Sequence, residues 1–190
     1  SRAPRPGDNI RRRGEDVALG DSLIEAGTAM GPLQAGVAAA CGYPGVRVFR
    51  RLRVALFTTG SELRQPGESI QPGEIYDANR FVLRGLLAKP WIEIVDLGSC
   101  IDNPSRLRSV FQTAAARAVV NTRAGGVSVG DEDHVVDAVQ RCGGKLWVRK
   151  VAIKPGKPLV LGKMADATYI GLPGKPGALF ATFTVIVDQI

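Results

Sequence analysis

The sequence predicts an α/β protein built on a doubly wound, mostly parallel sheet with helices on both faces. Two observations indicate this class. Short apolar runs typical of buried strands alternate with windows in which apolar residues recur at helical spacing. Loops that contain glycine follow several of these runs. Such a sheet binds its ligands in the crevice at the carboxyl ends of its strands, so these loops are the predicted place for a site.

The first half of the predicted sheet is marked by strong periodicity. Residues 53–60 form an apolar run that stops at a glycine and predict a buried strand, residues 81–87 give the face of a helix, and residues 92–97 predict a second strand. Asp102 or Asn103 caps the next helix. That helix carries one apolar stripe, which consists of Leu107, Val110, Phe111, Ala114, Ala115 and Ala118.

The second half repeats the alternation. A short strand at Val119–Val120 precedes a glycine-rich loop over residues 125–133. A helix follows the loop and ends at Gly143–Gly144. Extended runs are predicted over residues 145–154 and 159–164, before a last strand and a terminal apolar helix. Strand and helix in this rhythm favour the doubly wound class.

The 190 residues suffice for one full domain and part of another. Residues 1–50 are rich in glycine and turn signals, and we expect them to be part of the N-terminal and linker domains of a larger architecture. Residues 51–190 are expected to form the α/β domain.

Composition limits the function classes. The net charge of +7 favours anionic partners. With only 6% aromatic residues, the chain lacks the stacking side chains of many nucleic-acid binders, so no nucleic-acid partner is expected. No apolar run approaches the roughly 20 residues that cross a bilayer, and we expect a soluble, cytoplasmic protein without membrane contact. Three cysteines and one histidine argue against a thiolate or imidazole metal centre, and we expect the cysteines to be small core residues.

Acidic residues gather around the predicted phosphate loop. Asp131 and Asp133 follow the glycines, whose backbone can approach an anion, and Asp102 follows the second strand. Magnesium is bound by one or two carboxylates together with phosphate oxygens and water. Helix capping by Asp102 and Asp131 is the equally open alternative. Glu62, just after the first strand, is either a site acid or a turn residue.

Lysines cluster in a second segment. Lys150 and Lys154 share a parity in the predicted extended run and should face one side, and a Pro-Gly turn brings Lys157 to the same end. Because clustered ammonium groups repel one another, an anion is expected between them. A solvated basic edge is the alternative.

Six motifs, in order, are similar to those of one known family. They are Asn9–Asp16 (NIRRRGED), Thr59–Leu63 (TGSEL), Pro72–Asn79 (PGEIYDAN), Gly125–Asp133 (GGVSVGDED), Lys150–Pro158 (KVAIKPGKP) and Gly171–Gly174 (GLPG). The chain resembles the molybdopterin molybdenumtransferases, which include the E domain of gephyrin. Their proteins are about twice as long, so the chain resembles a fragment of one, with residues 51–190 as the molybdopterin-binding domain.

The resemblance implies a set of functional residues. The catalytic ones would be Asp16, Glu62, Asp102, Asp133, Lys150 and Lys154. The residues that bind the pterin nucleotide or molybdate would be Gly125, Gly126, Ser128, Lys154, Lys157, Pro173 and Gly174. Asp102 and Asp133 would be the metal ligands. Asp16 is the exception among these acids and lysines, because no feature of the sequence around it indicates a functional role.

The implied reaction is the insertion of molybdate into adenylylated molybdopterin (molybdopterin-AMP) with release of AMP, assisted by Mg²⁺. The resemblance also implies a homodimer and contact with the molybdopterin adenylyltransferase. Two other functions are weighed against this one: the adenylyltransferase itself, which shares the α/β domain, and a gephyrin-like scaffold. The segments Gly14–Asp16 and Lys154–Pro158 argue against the adenylyltransferase.

Overall fold

The computed structural model describes residues 3, 5–124, 139–148 and 150–189. The chain divides into two compact units, Ser1–Phe49 and Arg50–Ile190. The predicted loop over residues 125–133 lies outside the described residues. No helix in the part that the structure describes is long and apolar enough to span a membrane.

The smaller unit contains one helix, α1 (Pro32–Ala40), among its described residues. A proline in its first turn suits a position where the backbone N–H has no helical partner. The Gln34 side chain accepts a hydrogen bond from the Gly31 N–H at 3.1 Å, which satisfies another free donor at the start of the helix.

The larger unit alternates strands and helices along the chain. In order, its described elements are β1 (Leu52–Thr59), β2 (Leu63–Arg64), β3 (Ile75–Tyr76), α2 (Ala78–Leu86), β4 (Ile92–Cys100), α3 (Pro104–Arg117), β5 (Val120–Ala124), β6 (Lys145–Val148), β7 (Val160–Met164), β8 (Ala167–Leu172), α4 (Pro176–Val185) and a 3₁₀ turn (Val187–Gln189). Residues 139–141 are helical as well.

Six of these strands form one sheet in the order β4–β1–β5–β8–β7–β6, and β2 pairs with β3 in a separate ribbon. The first four strands of that order are mutually parallel. β7 runs antiparallel to β8, and β6 antiparallel to β7. Two reversals return β6 to the direction of β8, so the connection from β6 to β7 lies at the same edge as the carboxyl ends of the parallel strands. The predicted, mostly parallel sheet is confirmed.

Helices cover both faces of the sheet, as predicted. Ala55 and Phe57 of β1 belong to the core that α3 covers, whereas Val54 and Leu56 belong to the core under α2 and α4. All four are at most 2% exposed. Successive side chains of a strand point to opposite faces, so a strand buried on both faces reads as the unbroken apolar run seen here.

The predicted stripe of α3 packs as expected. Phe111 lies at its centre, with its ring edge-on to Phe57 at 5.3 Å and to Tyr169 at 5.5 Å between ring centroids. Asn103, rather than Asp102, caps the helix, because its side chain accepts hydrogen bonds from the N–H groups of the next two non-proline residues. This leaves the Asp102 carboxylate out of the cap.

Three smaller predictions were wrong. The extended run over residues 145–154 stops as a strand at Val148, and the residues from Lys150 onward form a loop, in which Pro155 and Pro158 have no N–H for a strand ladder. The parity argument for Lys150 and Lys154 therefore fails. Phe81 of the predicted helix face is 49% exposed. Cys41, expected in a core with the other cysteines, is exposed.

We predict that Phe111→Ala lowers the free energy of unfolding by about 3–5 kcal/mol, because it removes a fully buried ring and leaves a cavity. Phe180→Ala is the matched control, since Phe180 is also helical but 54% exposed, and it should stay within about 0.5 kcal/mol of the parent. Urea denaturation measures both. Equal losses would contradict the assignment of Phe111 to the core.

Candidate functional site

The loops that follow β1 and β4 meet at the carboxyl edge of the sheet. The Gly60 N–H donates to the carbonyl of Cys100 at 3.1 Å, and the Asp102 N–H donates to Ser61 Oγ at 3.4 Å. These contacts place Glu62 and Asp102 on neighbouring loops, and both residues are exposed. Two site acids predicted from distant parts of the sequence are thus brought to one place.

The Glu62 carboxylate folds back over the backbone of Gly60. A Cβ atom at Gly60 would lie 2.6 Å from Glu62 Oε2, so the carboxylate occupies space that only glycine leaves open. The Glu62 carbonyl accepts a hydrogen bond from the Ile75 N–H at 2.9 Å, which ties the loop to β3. Glu62 thus lies in a turn, and its exposed carboxylate packs against the backbone at the start of that turn.

A buried carboxylate lies directly beneath these loops. Asp77 is 1% exposed and caps α2. It accepts hydrogen bonds from Thr58 Oγ1 at 2.5 Å, from Ser99 Oγ at 2.8 Å and from the Arg80 N–H at 3.2 Å. Asp77 belongs to the Pro72–Asn79 motif but was missed as an individual residue, because its place just before a helical window indicates only a cap.

The loop after β8 carries Pro173 and Gly174. Pro173 is buried and Gly174 is exposed. The amide Nδ2 of Asn79, in the first turn of α2, donates to the Gly174 carbonyl at 2.6 Å. Asn79 was also missed as an individual residue, because its partner lies 95 positions away in the chain.

The predicted lysines lie on the connection from β6 to β7, at the same edge. The Val151 N–H donates to the Lys157 carbonyl at 2.9 Å and closes this loop on itself. Gly156, with a φ of +120°, packs against Thr182 of α4. Lys150, Lys154 and Lys157 are exposed, and in the described part of the chain no ion pair is formed by Lys154 or Lys157.

Comparison with known proteins identifies the domain. The family described as a probable molybdopterin binding domain matches residues 55–190, and the MoeA N-terminal region (domain I and II) matches residues 1–42. The chain belongs to the molybdopterin-binding domain family. This confirms the resemblance that the six motifs indicate.

Relatives and solved structures agree with the family. Molybdopterin molybdenumtransferases of Haemophilus influenzae and Nostoc are 39% and 36% identical to the chain over 100% and 98% of its length. The chain spans only 47% and 44% of those proteins. The crystal structure of a molybdopterin biosynthesis MoeA protein from Pyrococcus horikoshii superposes with a TM-score of 0.80 at 30% identity, covering 92% of this chain and 43% of that one.

The structure groups many of the predicted site residues of this family member at one edge. They are Glu62, Asp102, Lys150, Lys154, Lys157, Pro173 and Gly174. Asp16 lies in the smaller unit, where it is exposed and pairs with Arg11 at 2.8 Å. The predicted residues Gly125, Gly126, Ser128 and Asp133 lie outside the described residues, directly after β5, whose carboxyl end is at this edge.

Metal and thiol chemistry can be judged from the donors present. The described residues contain no group of three or more His, Cys, Asp or Glu that could hold a metal ion. Burial raises the pKa of the Cys142 thiol, and the Arg108 guanidinium acts in the opposite direction. Because desolvation is the larger effect, this thiol stays protonated near neutral pH and is a poor nucleophile. The chemistry at the edge is that of carboxylates and ammonium groups.

We predict that Gly156→Ala destabilises the domain by more than about 1 kcal/mol, because φ is positive there and the new Cβ would lie 2.2 Å from Thr182 Oγ1. Gly85→Ala is the control: Gly85 lies in α2 with open space around it, and the change should stabilise by about 0.5–1 kcal/mol. Thermal denaturation measures both variants. Adding Thr182→Ala should recover part of the loss, and no recovery would contradict the close contact.

Proposed function

We propose that this chain is the pterin-binding part of a molybdopterin molybdenumtransferase, which inserts molybdate into adenylylated molybdopterin and releases AMP. The observation that carries the proposal is the meeting of carboxylates and a basic loop at one edge of the sheet. Glu62 and Asp102 lie on neighbouring loops there, and the connection over residues 150–157 ends at the same edge. The family and the names of its relatives agree with this chemistry.

Molybdate is the substrate assigned to the lysine loop. Lys154 and Lys157 are exposed at the edge, and no acid pairs with either of them in the described ranges. Three ammonium groups on one short loop repel one another, so a bound oxyanion lowers the energy of the loop. Lys154 and Lys157 hold molybdate near the dithiolene sulfurs, and Lys150 adds positive charge.

The phosphates of the pterin nucleotide are assigned to the neighbouring motif. Gly125, Gly126 and Ser128 follow the carboxyl end of β5, which is the strand beside β1 in the sheet. The order in which strands are added to the sheet reverses here, since β4 follows β1 on one side and β5 then lies on the other. Such a switch point is where doubly wound sheets bind nucleotides. Pro173 and Gly174, after the next strand, form the adjoining wall of the pocket.

Magnesium fits the donors at this edge. Asp102 is an exposed carboxylate that does not serve as the helix cap, and hard oxygen ligands of this kind suit Mg²⁺. One or two carboxylates are enough, because Mg²⁺ keeps waters and phosphate oxygens as its other ligands. Asp102 and Asp133 would hold the ion, which when bound neutralises charge on the phosphoanhydride.

The reaction that the residues support is hydrolysis of the phosphoanhydride coupled to metal insertion. Water forms a bond to phosphorus, the P–O bond to the leaving phosphate breaks, and AMP and the pterin phosphate separate. Glu62 orients that water and accepts its proton. The lysines hold the oxyanion while the two dithiolene sulfurs bond to molybdenum, and one molybdate oxygen leaves as water with the two thiol protons.

The complete protein carries further proposals. It acts in the cytoplasm as a homodimer whose site includes residues of both subunits, and Asp16 is one of its catalytic acids. The molybdopterin adenylyltransferase supplies its substrate. The boundary near residue 50 separates the N-terminal and linker domains from the molybdopterin-binding domain.

The direct test is AMP release by the complete polypeptide, supplied with molybdopterin-AMP, molybdate and Mg²⁺. We expect release that depends on molybdate and yields molybdenum cofactor. Lys154→Gln should raise the KM for molybdate about tenfold or more, because it removes a charge-assisted contact. Lys163→Gln is the matched control, since Lys163 is a half-exposed lysine near the other end of β7 that pairs with Asp166. AMP release that is indifferent to molybdate would overturn the proposal.

We predict different effects for two adjacent side chains. Asn103→Ala should lower the free energy of unfolding by about 1 kcal/mol, because it removes the cap of α3, and leave the response to Mg²⁺ unchanged. Asp102→Asn should lose less stability but shift the Mg²⁺ titration of activity to higher concentration. Denaturation curves and Mg²⁺ titrations check both variants. An unchanged titration for Asp102→Asn would remove Asp102 from the metal site.

A further inference from the structure

The start of α2 contacts the ends of β1 and β4 and the loop after β8 through two buried polar side chains. Asp77 is 1% exposed and Asn79 is 8% exposed. Most of their side-chain partners lie on other elements: Thr58 near the end of β1, Ser99 near the end of β4, and Gly174 after β8. A residue that served α2 alone would need none of these contacts.

The Asp77 contacts lie where the sheet itself is least regular. β1 and β4 pair in step up to Leu56 and Asp96, and the next recorded pair is Thr58 with Ser99, so β4 contains one extra residue there. Gly98, with a φ of +78°, lies in this bulge. A bulge interrupts the ladder of backbone hydrogen bonds between the strands. One oxygen of Asp77 accepts from both Thr58 and Ser99 and so links the two strands just beyond the interruption.

The backbone around Asp77 also holds the Glu62 loop. The Asp77 N–H donates to the Arg64 carbonyl at 2.9 Å, two residues after the bond between Ile75 and the Glu62 carbonyl. Glu62 therefore lies between two attachments. One is the ribbon of β2 and β3, and the other is the Thr58 hydroxyl on Asp77.

A series of side-chain hydrogen bonds extends from Ser99 to Arg80 on α2. Gln65 donates from Nε2 to Ser99 Oγ at 2.6 Å and accepts from Arg80 Nη1 at 2.8 Å. Arg80 in turn donates from Nε to both oxygens of Asp96, at 2.9 and 3.1 Å. Each of these hydrogen bonds restricts the movement of the next side chain in the series. The Ser99 hydroxyl is therefore held in the orientation in which it donates to Asp77.

Asn79 joins the third loop at a cost in stability. Its Nδ2 donates to the Gly174 carbonyl, while its Oδ1 is buried and has no hydrogen-bond partner in the part of the chain that the structure describes. A buried amide oxygen without a partner is unfavourable, and such groups call for a reason beyond stability. Holding the loop of Pro173 and Gly174 at a set position is such a reason.

We propose that Asp77 and Asn79 are positioning residues, which set the Glu62, Asp102 and Gly174 loops relative to one another for the proposed reaction. The proposal rests on the proposed function for its catalytic part. Neither residue needs to touch substrate. The competing reading is a polar cluster that only stabilises the fold, and it predicts losses of stability without a specific loss of kcat.

Substitutions of two threonines on neighbouring strands distinguish a positioning role from a cluster that only stabilises the fold. Thr58 and Thr122 are each 1% exposed and each donates one hydrogen bond, Thr58 to Asp77 and Thr122 to the Ala55 carbonyl at 2.9 Å. Valine replaces either threonine with nearly the same shape. Both variants should lose similar stability, but only Thr58 is bonded to Asp77.

The experiment compares Thr58→Val and Thr122→Val in the complete polypeptide. We expect kcat for molybdenum insertion to fall roughly ten- to a hundredfold in Thr58→Val, because small displacements of reacting groups are costly in rate. The KM for molybdate should stay near the parent value, since the lysine loop packs against α4 rather than α2. Thr122→Val should keep the parent kcat. Equal kcat values in the two variants overturn the proposal.

A second measurement does not depend on the reaction. Amide hydrogen exchange at Gly60 reports the bond to the Cys100 carbonyl, which joins the loops of Glu62 and Asp102. Exchange there should accelerate in Thr58→Val and not in Thr122→Val. If the parent protein fails to insert molybdate, the proposed function fails, whereas unchanged exchange at Gly60 in Thr58→Val defeats the positioning role itself.

The Asn79 contact is tested in the same way. Asn79→Asp replaces the donor to the Gly174 carbonyl with an acceptor while keeping the shape, so kcat should fall at least as far as in Asn79→Ala. The conservative change is then the more damaging one. A kcat for Asn79→Asp equal to that of the parent would exclude this residue from the proposal.

Discussion

The parallel pairing of β1 with β4 on one side and β5 on the other is the constraint on which the site depends. It sends the loops after all three strands to one edge of the sheet, although Thr59 at the end of β1 and Ala124 at the end of β5 are 65 residues apart in the sequence. β1 is buried on both faces, so a shift by one residue would exchange the two sets of apolar side chains between different helices. The position of Glu62 beyond the end of β1 is therefore set by packing along the whole strand.

The regular pairing is interrupted before the strands end. After Leu56 the extra residue in β4 breaks the ladder, which resumes at Thr58 and Ser99 in a shifted register, and the Asp77 side chain adds hydrogen bonds to both strands there. This change has a physical logic. A ladder determines the strand direction well, but side-chain bonds from a third element, such as those of Asp77, can position a loop in all three dimensions. The cost is a carboxylate removed from water, which the two hydroxyl donors and one N–H donor offset.

The basic loop is built on a different principle. Its shape comes from close contact, with Gly156 against Thr182 and a hydrogen bond between Val151 and Lys157, while its charges are left exposed. Like charges held together by a rigid backbone raise the energy of the ligand-free protein. An anion that relieves this repulsion stabilises the folded state by binding it, so affinity and rigidity are coupled at this loop.

The sequence by itself determined the elements whose signal is local. The stripe of α3 and the apolar run of β1 follow from side-chain periodicity, and the order of elements sufficed for the fold class. The six motifs also pointed to the family and to acids and lysines that the structure gathers at one edge. The predicted strand between Lys150 and Lys154 was wrong, because Pro155 and Pro158 have no N–H to donate to a neighbouring strand. This segment instead forms a loop that closes on itself.

Only the tertiary structure decided the rest. Asp102 and Asn103 are equally good helix caps by type, and three-dimensional contacts assign the cap to Asn103. Asp77 and Asn79 lie in a quoted motif but had no predicted role, because their side-chain partners on other strands and loops lie between 19 and 95 residues away in the chain, beyond any spacing rule. A sequence records which side chains can bond, whereas the sheet decides which of them meet, since strand pairing brings together residues that no local pattern relates.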